Sequence, residues 1–505
     1  MNMYKGNDGD SLGAWHRIIR SIILLLCLGT LLLTCLRVIG QGYFPGDDAL
    51  RHVAMVVSGQ SWAEILVIRP EITMDSHPGW HSILRVVQSL TGGDKQLLLN
   101  FSVMFLFFAF TLPPVLYFRR GEAWIVSLAL SSVFFFGPIF RLFYGRPYIV
   151  SMVMVVLFCF LWDRVRDKKL PWAELAALTS VAALATWIHG TWYLFALPLL
   201  ALVLARQWRV FMLMSGAMSG GVILGAMFTG SPLAFLHQML FHALEAFGKY
   251  DFQRQLVSEF QPFSGEVLVF FLVGGLLLWR WARGEWKIST VDNPIFYLAI
   301  IGWIMGFFAG RFWSDWSWPA LAFWIALEVQ AALEYYMDIF SLKRLAFAGV
   351  CCLFLLLAVT NDRGSRWSGV PSEWPNIENA EHRQWLPDEG GILYNDSMSL
   401  FYRIFYLNPH GPWRYTLGFE PVWMSADNFE IYRHIQLTRG KNESYAPWVN
   451  KMTEKDRMIL IRNTKPQVEG LEWHEVTPTV WSGKPMLNLS NTKRLQSAFQ
   501  IRQSV

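Results

Sequence analysis

Two adjacent carboxylates stand in the run Tyr43-Phe44-Pro45-Gly46-Asp47-Asp48-Ala49-Leu50-Arg51-His52-Val53-Ala54-Met55. Pro45 and Gly46 break the chain, and helical periodicity follows from Asp48. On such a helix Asp47 and Arg51 lie one turn apart, as do Asp48 and His52. Neighbouring acids repel one another, a condition that favours a proton on one of them and suits it to act as a base toward a hydroxyl. The competing reading is architectural: Asp before a helix is a preferred N-cap, and acids suit the positive end of the helix dipole. Spacing alone weighs the two evenly, and they are compatible, because one Asp can cap while the other reacts. Arg141 and Arg146 bracket Phe143-Tyr144-Gly145, and Arg311 opens a tryptophan-rich stretch. Guanidinium groups in these places suit either a phosphate or an anchor at a membrane boundary. For Arg51 the alternative is an ion pair with Asp47. His77 and His81, spaced i, i+4, supply two metal ligands if that segment is helical, but Pro78 between them allows only a helix start. No third ligand is marked. The sequence therefore marks no cofactor and leaves a divalent metal open.

Composition dictates what must position these groups. Of 505 residues, 53% are hydrophobic and 16% charged, against about a quarter charged in soluble domains. The mean hydropathy of +0.31 and 25 tryptophans point the same way. An ordinary cytosolic enzyme, a disordered chain and a fibrous repeat are excluded. The net charge of +5 says little, because in a membrane protein the position of basic residues matters more than their sum. All five cysteines fall in apolar runs, where a thiol behaves as a small hydrophobe, so no disulfide framework is expected.

A bilayer core needs about 20 mostly apolar residues per helix. Runs of this kind fall near 18–39, 97–118, 123–140, 147–162, 171–188, 192–206, 210–229, 265–281, 294–310, 318–335 and 343–360. The first is too long for a cleaved signal peptide and reads as a retained anchor. Alternate loops carry Arg17 and Arg20; Arg119 and Arg120; Arg164, Arg166, Lys168 and Lys169; Arg206 and Arg209; Arg280, Arg283 and Lys287; Lys343 and Arg344. The other short loops are poorer in basic residues, so the N-terminus is expected in the cytoplasm and, with an odd number of spans, the C-terminus outside. Residues 1–360 then form a transmembrane module whose first outer loop is 40–96, and 361–505 a soluble outer domain. In that domain Gly391 to Tyr394 and Arg457 to Ile461 read as strands, Asp427 to Leu437 as a helix, and Leu471 to Trp481 as a strand pair. His237 and His242, with Lys249 and Arg254, read as part of an amphipathic interfacial segment. Trp313, Trp316 and Trp318 read as boundary residues in preference to sugar-stacking rings.

The acidic pair, the Arg51-His52-x-Ala54 helix, the turn Ser58-Gly59-Gln60-Ser61-Trp62 and the segment His77-Pro78-Gly79-Trp80 together resemble the first outer loop of the GT-C superfamily of membrane glycosyltransferases. The likeness is greatest to the branch of protein O-mannosyltransferases and lipid A aminoarabinose transferases, and at motif level it covers residues 44–81. The second acid is Asp where Glu is commoner, His52 replaces a tyrosine, and Gly79 replaces a second proline. The resemblance implies a polytopic α-helical membrane protein of about 11 transmembrane helices, N-in/C-out and GT-C-like, with a C-terminal extracytoplasmic α/β domain. It implies transfer of a sugar from a polyprenyl-phosphate donor to a glycan, lipid or protein acceptor on the periplasmic face of a bacterial inner membrane, with no nucleic-acid partner. Asp47 then becomes the base and Asp48 its support. Arg51, His52, His77, Arg141, Arg146 and Arg311 become candidates for holding the donor phosphate or sugar. The rival classes are a transporter or flippase of lipid-linked glycans, a polysaccharide polymerase and a non-catalytic membrane subunit of an assembly system. No inverted hydropathy repeat supports the first.

Overall fold

The computed structural model describes residues 8–45, 47–72, 74–168, 171–248, 258–263, 267–337, 342–369 and 373–486. Gly46, Lys169, Lys249, Arg254 and the end of the tail lie outside them. The chain forms two compact units: Met1–Pro45 with Met74–Val370, and Gly46–Thr73 with Pro371–Val505.

In the first unit every one of the eleven apolar runs carries a helix. They are Asp8–Gly40, Lys95–Tyr117, Glu122–Phe134, Ile149–Asp167, Trp172–His189, Ala196–Leu204, Trp208–Met227, Leu268–Ala282, Pro294–Gly306, Trp318–Tyr336 and Leu342–Thr360. Four segments, Arg17–Gly40, Lys95–Tyr117, Trp208–Met227 and Leu342–Thr360, are long and apolar enough to cross a bilayer by length and composition. Their outward residues are apolar too: Met212 and Val350 are each 67% exposed, a surface that suits lipid. Helix ends follow local chemistry. Asp94 and Asn293 cap their helices by accepting from the amides of Leu97 (2.9 Å) and Phe296 (3.0 Å). The run expected as one span over 123–140 is broken at Phe135, and Phe136–Arg141 continues as a separate short helix. Pro138 explains this, because its ring clashes with the carbonyl four residues back and it has no amide to give.

The helix Trp172–His189 packs closely against Trp208–Met227. Gly221 and Gly225, four apart, let the backbones meet: a β-carbon on Gly225 would lie 2.3 Å from the carbonyl oxygen of Ala183, and one on Gly221 would lie 2.5 Å from that of Thr179. Gly225→Leu is expected to destabilise the protein by about 1–3 kcal/mol, seen as a lower midpoint of thermal unfolding in detergent. A second tie is the buried ion pair of Arg344 with Glu122, whose Nη2 to Oε2 contact is 3.0 Å. Arg344→Ala strands the Glu122 carboxylate and should cost about 3–5 kcal/mol in the same assay, whereas removing both charged groups together should cost less. All five cysteines are free thiols. Glu328 of the helix Trp318–Tyr336 pairs with Arg280.

The tryptophans of the 311–318 stretch do not form a boundary belt. Trp313, Trp316 and Trp318 are 4%, 1% and 0% exposed. Trp313 stacks on Phe263 and Trp318 on Phe110, so these rings are core. The local cause is a π-helical turn, Trp313–Ser317, which widens the helix start and turns the whole stretch inward.

The second unit holds a five-stranded sheet of β1 (Ile392–Tyr394), β2 (Arg414–Tyr415), β3 (Arg457–Ile461), β4 (Leu471–Thr477) and β5 (Val480–Pro485). The order is β2-β1-β3-β5-β4. β1 runs parallel to both β2 and β3, and β5 is antiparallel to β3 and β4. The helices Met398–Leu407 and Ala426–Leu437 fill the crossovers that parallel strands require. The strands and helix expected from the sequence are all present. At the carboxyl ends of β1 and β3, Tyr445 donates to Asp396 (2.6 Å) and Arg462 donates to both, tying the two strands together. Burial pushes the Tyr394 hydroxyl up to about 12 and those of Tyr415, Tyr432 and Tyr445 well above the ordinary phenol range. A raised folded-state value favours the neutral ring, so this stability is complete below about pH 10 and falls as the pH climbs. Alkaline titration should show these four tyrosines ionising only as the unit unfolds, read by tyrosinate absorbance.

Residues 46–73, expected with the transmembrane module, group with this second unit. The amide of Val67 donates to the carbonyl of Tyr415 and that of Arg69 to Trp423, both at 2.9 Å, so the segment adds itself beside β2. The helix Ala49–Ser58 buries Leu50, Val53, Ala54 and Met55 in the same unit. Backbone pairing across more than 300 residues leaves no periodic signal in the sequence.

Candidate functional site

The acidic pair is built at the start of Ala49–Ser58. Asp48 occupies the N-cap position, but its side chain makes no cap hydrogen bond. It grips Arg51 instead, through Nε to Oδ1 and through Nη2 to Oδ2 at 3.2 Å, with His52 Nε2 3.4 Å from Oδ2. The expected pairing of Arg51 with Asp47 is thus replaced by one with Asp48. The reason is local: the Asp47 carboxylate accepts from the amide of Asp48 at 2.7 Å and so turns back from the helix. The Arg51 guanidinium lies 3.6 Å over the Phe419 ring, with Trp62 at 5.5 Å, and it is 2% exposed. His52 is buried as well. Arg51 and His52 therefore face Asp48, and Asp47 is the half-buried member of the pair.

The first unit carries a second polar constellation, in which the three arginines singled out from the sequence come together. Arg141 donates to Asp315 (3.0 Å) and to Glu259 (3.4 Å). Arg146 binds the same Glu259 oxygen. Arg311 binds Asp315 at 3.2 Å, with Glu259 at 3.9 Å. The ring of Tyr148 lies under the guanidinium groups of both Arg141 and Arg146. Among the described residues, three guanidinium groups meet two carboxylates here. Such a gathering of guanidinium donors suits an anion with several acceptor oxygens.

A row of imidazoles continues from Arg311. Its Nη2 is 3.1 Å from Nε2 of His189, whose Nδ1 lies 2.8 Å from the Ser151 hydroxyl and 3.0 Å from that of Thr191. The His77 ring is 5.7 Å from His189 and 6.5 Å from His81. His77 is the N-cap residue of Pro78–Thr91, with Pro78 in the first turn as its missing amide requires. Asp75 organises this entry, accepting from the His77 amide at 3.1 Å and binding Nδ1 of His81. Nδ1 of His77 meets the Ser76 hydroxyl at 2.8 Å. The two histidines thus turn their Nδ1 atoms to different partners, and among the described residues no group of three or more His, Cys, Asp or Glu side chains is placed to hold a metal ion. Gly79 is the departure that makes the approach work. A β-carbon there, as a second proline would bring, would lie 2.6 Å from the ring and 2.8 Å from the backbone of Trp187, two residues before His189.

Asp75, Tyr148, His189, Glu259 and Asp315 were not selected from the sequence as site residues. Each is a single polar residue amid loops or aromatic runs, and only contacts across as many as 174 positions give it a role. A faint signal was present in Asp315, an acid one helical turn after Arg311.

The helical bundle and its α/β companion define the GT-C fold. The apo crystal structure of ArnT from Cupriavidus metallidurans, a lipid A aminoarabinose transferase, is similar over 94% of this chain and 98% of that one, with 14% identity and a TM-score of 0.56. The oligosaccharyltransferase of Archaeoglobus fulgidus, in its complex with a tethered acceptor peptide, aligns more loosely: 12% identity, 86% of this chain, 69% of that chain and a TM-score of 0.47. The likeness of fold rests on the first of these. No family model matches the chain, and no curated protein matches it in sequence.

Proposed function

We propose that this protein is a membrane-embedded glycosyltransferase that moves a sugar from a polyprenyl-phosphate donor to an acceptor outside the cytoplasm of a bacterial cell. The observation that carries the reading is the gathering of Arg141, Arg146 and Arg311 about Glu259 and Asp315. A lipid phosphate needs cationic donors as it departs with the electron pair of the anomeric C–O bond. Its isoprenoid tail needs an apolar surface, which a helical bundle exposing residues such as Met212 and Val350 supplies. An acceptor hydroxyl must lose its proton as its oxygen attacks the anomeric carbon, and Asp47 is the carboxylate assigned to take it. Asp48, fixed by Arg51 and His52, holds the start of that helix in place. The helical bundle crosses the membrane with the N-terminus inside and the C-terminal domain outside, the orientation that the basic loops favour. The test is mass analysis of lipid-linked and envelope glycans from cells lacking the protein. Accumulation of an unused polyprenyl-phosphate sugar with loss of one modified acceptor is expected, and unchanged profiles of both would refute the assignment.

A further inference from the structure

A guanidinium group has five donors and no acceptor. The 3.1 Å contact between Arg311 Nη2 and His189 Nε2 therefore requires that Nε2 carry no proton. The ring's hydrogen then sits on Nδ1, where the hydroxyls of Ser151 and Thr191 receive it at 2.8 and 3.0 Å. Considerable structure is spent on placing this ring. Gly190 ends the Trp172–His189 helix in the left-handed region (φ +69°), and a β-carbon there would lie 2.8 Å from Met239 Sδ and 3.2 Å from the Ser76 carbonyl oxygen. Ser151 reaches the ring from a neighbouring helix, Ile149–Asp167. Arg311 is thereby held on two edges of its plane, Nε by Asp315 and Nη2 by His189.

From this geometry we propose that neutral His189 is a positioning residue that fixes the orientation of Arg311 for the donor phosphate. The inference rests on the reading that the three-arginine cluster holds that phosphate. Protonation of His189 removes the acceptor and sets two cations against each other, so Arg311 is released toward Asp315 and Glu259. Among the described residues, the further titratable groups near the ring are His77 at 5.7 Å and, beyond it, the His81–Asp75 pair. Protonation of His77 would add to the same repulsion.

The experiment measures binding of a short-chain polyprenyl phosphate to the full-length protein in detergent, across neutral to acidic pH, for wild type and for Arg311→Ala, His189→Ala and His189→Gln. Gln offers an uncharged oxygen near the place of Nε2 and does not titrate. His189→Ala is expected to weaken binding about tenfold, the loss of one charge-assisted hydrogen bond. Gln should restore most of it and remove the decline on acidification that wild type shows beyond the ligand's own titration. If Arg311→Ala binds as wild type does, the phosphate assignment itself fails and the inference with it. If Arg311→Ala weakens binding while His189→Ala does not, or if the Gln variant keeps the wild-type pH dependence, the positioning role is overturned and the phosphate assignment stands.

Discussion

Asp47→Asn is expected to lower sugar transfer by about 10²–10⁴-fold, the range that a positioned general base contributes. Asn keeps an oxygen that can accept the 2.7 Å bond from the Asp48 amide, so the helix start survives while the proton acceptor is lost. Expression, membrane insertion and thermal unfolding should be those of wild type, and the loss should fall on kcat more than on KM. The neighbouring change gives a different pattern. Asp48→Asn removes the charge that balances a guanidinium buried against Phe419 and Trp62, so it should lower thermal stability as well as activity. Transfer from a labelled polyprenyl-phosphate sugar to membrane acceptors measures both. Full activity in the two variants would remove the acidic pair from the mechanism, whereas loss in Asp48→Asn alone would exchange the roles of the two acids.

Arg146→Ala should raise KM for the lipid donor by about 10- to 100-fold, because a hydrogen bond to a charged group is worth about 1.5–3 kcal/mol. Arg146 shares Glu259 with Arg141, so its removal leaves that carboxylate partnered and the fold intact. The change also removes one positive charge from the cluster, which weakens attraction for any anion. Arg146→Lys should recover only part of the affinity, since an ammonium is a point charge and cannot present two parallel N–H groups. The measurement is donor-dependent initial rate at fixed acceptor. An unchanged KM in Arg146→Ala would place the phosphate elsewhere.

Legibility in the sequence follows the range of the interactions concerned. Apolar runs identify helices because the signal lies within one segment, and a helix occupies every run that the sequence marks. The strands of the tail were legible for the same reason: Met458, Ile459 and Leu460 form a short apolar run, and all three are buried. The break at Phe135 leaves no mark in hydropathy, because Pro138 acts through backbone geometry and not through polarity. The tryptophans near Trp316 show another, because composition does not tell a boundary ring from a core ring.

The sequence alone determined that this chain is a polytopic helical protein with a polar α/β companion, and it singled out the paired acids and the three arginines. Each of those signals is local: a run, an adjacent pair, a charge beside a span. Only the tertiary structure decided that Arg51 belongs to Asp48, that Val67 and Arg69 bond to Tyr415 and Trp423, and that Glu259, Asp315 and His189 gather the arginines. Those outcomes depend on which distant backbones approach closely enough to exchange hydrogen bonds. Around His189 that approach is permitted by Gly79 and Gly190, whose missing β-carbons carry no sign in the sequence of what they make room for.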